Sequence, residues 1–150
     1  MVRCHRFLIP IFILTFPVEA LTRHELLSRY NRPVWKQTEP GGTTVIAEQF
    51  VPETGVSLMV RYDAAGNVKE LRIVPQGAES DEHGTRYVKP ETAERLLGQL
   101  VAKRLQPPEA APETTGPCER VTRAAVNNVT ITREFNDCAP KGLNITVTWR

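Results

Sequence analysis

The sequence predicts an α+β fold: an antiparallel sheet with one amphipathic helix packed on a face, a short N-terminal helix and one disulfide. Three observations predict it. Residues 56–62 and 143–149 alternate apolar and polar side chains with a period of two, the pattern of a strand with one buried face. Residues 90–105 repeat apolar residues at helical spacing. Cys118 and Cys138 bracket a strand-rich segment.

The first twenty residues, MVRCHRFLIPIFILTFPVEA, are read as a signal peptide. Arg3 and Arg6 form its basic end, Phe7 to Phe16 its apolar stretch, and Val18 and Ala20 put small residues three and one before a cut. Cleavage is expected between Ala20 and Leu21. The apolar run is too short for a membrane span and is interrupted by Pro10 and Pro17. The expected location is therefore secreted or periplasmic, with no stable membrane insertion after cleavage. Cleavage also removes Cys4 and leaves two cysteines, and an even count in an exported chain favours a disulfide.

The other 130 residues suit one domain, residues 21–150. Removing two Arg and one Glu with the leader lowers the formal charge from +2 to +1. So even a balance gives no broad pull toward nucleic acid or an acidic membrane surface.

Leu21 to Tyr30 reads as a short helix, with Thr22 and Glu25 at capping-box spacing and Leu21 and Leu26 placed as a hydrophobic staple. Arg32-Pro33 ends it. Three strands are expected to follow, over 43–51, 56–62 and 68–74, with DAAGN as the hairpin loop between the last two. In the 90–105 helix, Pro90 suits the first turn, and Glu91 and Glu94 complement the positive end of the dipole. Ala93, Leu96, Leu97, Leu100, Val101 and Leu105 form its apolar face. The polar face mixes charge signs, which favours core packing over a membrane surface.

QPPEAAPETTGP, residues 106–117, holds four prolines and is read as an internal linker that cannot enter a central strand. Extended, it would reach about 37 Å at 3.1 Å per residue. The 33 residues beyond it are too few to fold alone and are expected to dock on the first half as disulfide-braced strands. Val129, Ile131 and Phe135 alternate with polar residues, leaving Arg133 as the one polar side chain on the apolar face.

A single straight strand over 126–135 would carry Cys118 roughly 33 Å from where Cys138 needs it, whereas a disulfide requires Cα atoms about 4.4–6.8 Å apart. A fold-back at Asn127-Asn128 resolves this. It sets Val126 opposite Val129, Ala124 opposite Ile131 and Cys118 opposite Asp137. Closing that loop would stabilise the fold by about 3 kcal/mol in the chain-entropy model. A turn nearer residues 122–125 leaves the same bond possible. A redox role is disfavoured, because the two cysteines are 20 positions apart and form no Cys-x-x-Cys pair.

No catalytic, cofactor or metal site is expected. Asp81, Glu82 and His83 are consecutive and cannot easily converge on one ion. Ser80, Asp81 and His83 have the types of a catalytic triad but come from one loop without a nucleophile elbow. His24 reads as a surface residue. Asn128 and Asn144 each start a glycosylation acceptor triplet, for which ordinary strand alternation is the favoured account. Trp35 and Trp149 are candidates for a ligand surface, with Trp149 on the core side of its strand.

GVSLMVRYDAAGNVKELRIV, residues 55–74, resembles the hairpin of the TonB C-terminal domain, and the likeness extends through the helix to residue 105. The layout is also similar to small secreted bacterial proteins ending in a Cys-bracketed strand pair. The TonB resemblance implies a periplasmic domain that binds other proteins without catalysis. The chain departs from that family in lacking an aromatic-Pro ending after the helix and in adding the cysteine loop. The expected function is thus a secreted or periplasmic, non-catalytic interaction domain with a protein partner. The alternatives are a small hydrolase or metal-dependent enzyme using the 78–87 loop and His83, or a protease-inhibitor-like scaffold.

Overall fold

A computed structural model describes residues 21–77, 87–102, 106, 108 and 111–150. The proposed leader with its cut at Ala20, the loop around His83 and the 103–105 end of the expected helix lie outside them.

Helix α1 spans Arg23–Tyr30 and begins on the expected capping box. The Glu25 carboxylate accepts from the Thr22 backbone N–H at 2.7 Å and from its hydroxyl at 2.8 Å, and the Glu25 N–H donates to the Thr22 hydroxyl at 3.3 Å. Ahead of it, residues 21–23 lie beside a hairpin tip: the Val68 N–H donates to the Leu21 carbonyl at 2.7 Å, and the Arg23 N–H to Gly66 at 3.1 Å.

Eight strands follow: β1 (Trp35–Thr38), β2 (Val45–Glu53), β3 (Val56–Tyr62), β4 (Val68–Pro75), β5 (Glu113–Thr114), β6 (Glu119–Val126), β7 (Val129–Asn136) and β8 (Gly142–Trp149). Helix α2, Pro90–Leu100, lies between β4 and β5 in the chain. All strands join one antiparallel sheet in the order β1-β2-β3-β4-β8-β7-β6-β5.

This corrects the expected α+β fold with a helix packed on a sheet face. Strands hold 49% of the described residues and helices 17%, so what is described is mainly an antiparallel sheet of seven full strands with a two-residue eighth. The physical reason is the route of the last third. Its strands join the first half by inserting β8 beside β4, which extends the first meander edge to edge. Among the described residues the Pro-rich stretch supplies β5, at the sheet's edge, where missing N–H donors are tolerated. The second helix is also shorter than expected, because Val101 turns to extended backbone at its C-terminal cap. Strand β1 had no sequence signal; with one large apolar residue in four, its pairing comes from β2 alone.

The hairpin turns follow local chemistry. Asn127 adopts a left-handed conformation at φ 52°, and β6 and β7 fold back in the expected register, Val126 to Val129 and Ala124 to Ile131. Between β3 and β4 the Asp63 carboxylate accepts from the Ala65 and Asn67 backbone N–H groups, both at 2.9 Å, and from the Asn67 amide at 3.1 Å. These bonds, led by the Asn67 side chain, hold the Asp63 carboxyl below its usual value.

The core is a single cluster. Leu58, Val60, Leu71, Ile73, Ile131, Ile145 and Val147 point to one side of the sheet and are fully buried, with Phe50 beside them. Leu26 of α1 and Ala93, Leu96, Leu97 and Leu100 of α2 belong to the same cluster. Tyr87 packs over Gly142 so closely that a Cβ there would sit 2.2 Å from the Tyr87 Cβ.

Two expectations follow. Gly142→Ala should destabilise the fold by about 1–3 kcal/mol, because backbone-near atoms must separate; urea titration measures it, and an unchanged midpoint would refute the close approach. The depressed Glu25 carboxyl, held chiefly by the Thr22 backbone N–H and then its hydroxyl, adds stability above about pH 4.3, its unfolded value. That contribution vanishes as pH falls through the lower folded value. The thermal midpoints of wild type and Glu25→Gln should therefore converge in acid and separate toward neutrality.

Candidate functional site

Two buried charges stand out on the core side of the sheet, one at each helix. Glu48 of β2 is wholly buried, placed inward by strand alternation beside Val60. Arg23, in the first turn of α1, donates to it through Nε at 2.9 Å and Nη2 at 2.6 Å. The Tyr62 hydroxyl, at the end of β3, donates to the same carboxylate at 2.9 Å. Burial, and then the bond to Glu48, push the Tyr62 hydroxyl far above the usual phenol range. The bond to Glu48 likewise raises Arg23. At neutral pH this tyrosine keeps its proton and serves as a donor, so the trio acts as a clasp of helix to sheet.

Arg133 is the counterpart. The odd polar residue on the apolar face of β7 reaches Glu94 of α2, with Nε 2.7 Å and Nη2 3.3 Å from its carboxylate oxygens. Arg95 of α2 pairs with Glu53 at the end of β2, and Arg29 of α1 donates to the carbonyl of Gln99. Charge thus fastens each helix to a strand and the helices to each other.

The opposite side of the sheet is polar. Thr130 faces Thr148, and Thr132 faces Thr146, across β7 and β8. Around this quartet stand Arg61, Arg72 and Arg123, all exposed. Their side chains make no hydrogen bond or ion pair within the described structure.

Where β2 and β4 begin and β3 and β8 end, the strand ends enclose a cleft of about 450 Å³. Gln37, Ile46, Ala47, Arg61, Lys69 and Thr148 line it, together with Glu70, Tyr62, Trp149 and Arg150. Trp149 is buried, as its strand pattern predicts, while Trp35 stays 45% exposed beside the more exposed Val34 on the edge strand.

Cys118 and Cys138 lie at disulfide distance, with Cα atoms 5.2 Å apart. The Asp137 N–H donates to the Cys118 carbonyl at 2.8 Å, the register that the fold-back requires. Beside them Arg120 pairs with Asp137 and stacks 3.7 Å from the centre of the Phe135 ring. Among the described residues no three His, Cys, Asp or Glu side chains gather as a metal site. No described helix is long and apolar enough to cross a membrane. His24 is exposed on α1, and Asn128 and Asn144 are half-buried. No sequence motif marks the cleft, since its residues come from strands whose neighbours are set by tertiary pairing.

The class of molecule defined by these features is a largely antiparallel β domain. No family model matches the chain, and no curated protein matches it. Among solved structures, the crystal structure of a DUF4309 family protein (YjgB) from Bacillus subtilis subsp. subtilis str. 168 is similar at 14% identity and a TM-score of 0.41, over 86% of this chain and 78% of that one. At that level it assigns no function.

The Glu48 clasp makes a measurable claim. Tyr62→Phe should cost about 1.5–3 kcal/mol, the range for a hydrogen bond to a charged group. Arg23→Met leaves Glu48 buried without its cation; because a third of the Arg23 side chain reaches solvent, the cost should fall below that of a fully buried pair, at about 2 kcal/mol. In a double-mutant cycle with Glu48→Leu the two losses should be strongly non-additive. Simple additivity would show that the pair does not act as a unit.

Proposed function

We propose that the chain is an exported, non-catalytic interaction domain, secreted or periplasmic, which offers the polar face of its sheet to a protein with an acidic surface. The observation that carries this reading is the division of labour between the two faces. The two buried charges of the core side, Glu48 and Arg133, are engaged in clasps, whereas Arg61, Arg72 and Arg123 on the other side have no partner in the described structure. Partner-free guanidinium groups flanking paired threonines suit recognition of carboxylates, which arginine binds in a fork. The cysteine pair at disulfide distance supports an oxidising compartment, and the TonB-like hairpin of residues 55–74 supports protein binding.

A photo-crosslinking amino acid at Thr132 in cells should yield a discrete protein adduct in the envelope or secreted fraction, and one at exposed Glu91 of α2 should not. The purified product should begin at Leu21 and show no free thiol. Adducts from Glu91 alone, or a product beginning at Met1 with free thiols, would overturn the reading.

A further inference from the structure

We propose that the cleft at the ends of β2, β3, β4 and β8 is a binding site for a small organic anion, a carboxylate or phosphate ester with an apolar body. It shares Arg61 and Thr148 with the proposed protein-binding face but requires no protein partner.

The lining divides into two parts with different chemistry. Three cations, Arg61, Lys69 and Arg150, stand against one carboxylate, Glu70. None of the three cationic side chains has a hydrogen-bond or ion-pair partner in the described structure. Arg61 and Glu70 are directly opposed across β3 and β4, yet they form no ion pair. The Arg61 fork is therefore left to a ligand. Lys69 reaches the same place because the β3–β4 register shifts between Arg61 and Tyr62, which leaves Lys69 as the extra residue between Val68 and Glu70.

The remaining wall is apolar. Ile46, Ala47, Tyr62 and Trp149 line it, and both aromatic residues are buried. Gln37 and Thr148 add neutral polar groups at the margin. A cleft of about 450 Å³ sits within the range of small-molecule sites and is far too small for a folded partner. Converging cations select negative charge, the apolar residues accommodate a hydrocarbon body, and the volume limits size.

The test uses the purified mature chain, titrated with benzoate, phenyl phosphate and neutral benzyl alcohol, and followed by amide and indole NMR. Both anions should shift Arg61, Lys69, Thr148 and the Trp149 indole with saturation, and benzyl alcohol should bind at least about tenfold more weakly. Comparing the two anions distinguishes carboxylate from phosphate preference. Raising salt from about 0.05 to about 0.5 M should weaken the anions and leave benzyl alcohol unaffected. Arg61→Gln combined with Lys69→Gln should reduce anion affinity by about tenfold or more. Both positions are exposed, and if the double variant did not fold, salt dependence and the neutral analogue in wild type would decide. Equal binding of all three probes, no saturable shift with either anion, or unchanged affinity in a folded double variant would overturn the site. The cross-linking result at Thr132 stands or falls separately.

Discussion

The pairing of β4 with β8 is the interaction on which the rest of the structure depends. Four residue pairs, from Glu70 with Thr148 to Ile73 with Ile145, join two four-stranded meanders into one sheet. On the core side this seam sets Leu71 against Val147 and Ile73 against Ile145, all fully buried. Neither meander could bury that surface alone, since each would present a strand edge and half an apolar face to water. The seam also links segments some seventy positions apart, so it is the costliest contact in loop-closure entropy and the one that makes the fold cooperative.

The helices depend on the sheet that the seam creates. Each brings a short apolar stripe and one buried or half-buried ion pair, Arg23 with Glu48 and Glu94 with Arg133. Such pairs add little net stability, because desolvation offsets much of the attraction, but an unmatched partner would be left charged in an apolar setting. The clasps therefore specify where each helix sits. They also engage the two buried charges of the core side, Glu48 and Arg133.

Local features were legible. The Thr22–Glu25 box, the alternation in β3, β7 and β8, and the turn at Asn127 depend on neighbours a few positions away. Arg133 was visible as an anomaly on an apolar face, but its partner lies 39 positions earlier on a helix, beyond any spacing rule. The α+β expectation failed for a related reason. A proline-rich connection permits docking almost anywhere, and periodicity does not say whether strands extend an existing sheet or pack against it. The cleft was invisible because Arg61, Lys69, Thr148 and Arg150 become neighbours only once β8 lies beside β4.

The sequence by itself determined which residues pair over short range, which side of each strand faces the core, and that two cysteines bracket a hairpin whose register brings them together. Those properties follow from dihedral preferences, a period of two and chain geometry, all of which act within about twenty residues. Tertiary structure alone decided the strand order, the merging of the two halves into one mainly β molecule, and the meeting of cations at the strand ends. These outcomes depend on which apolar edges bury each other best, a comparison among whole surfaces that no local stretch encodes.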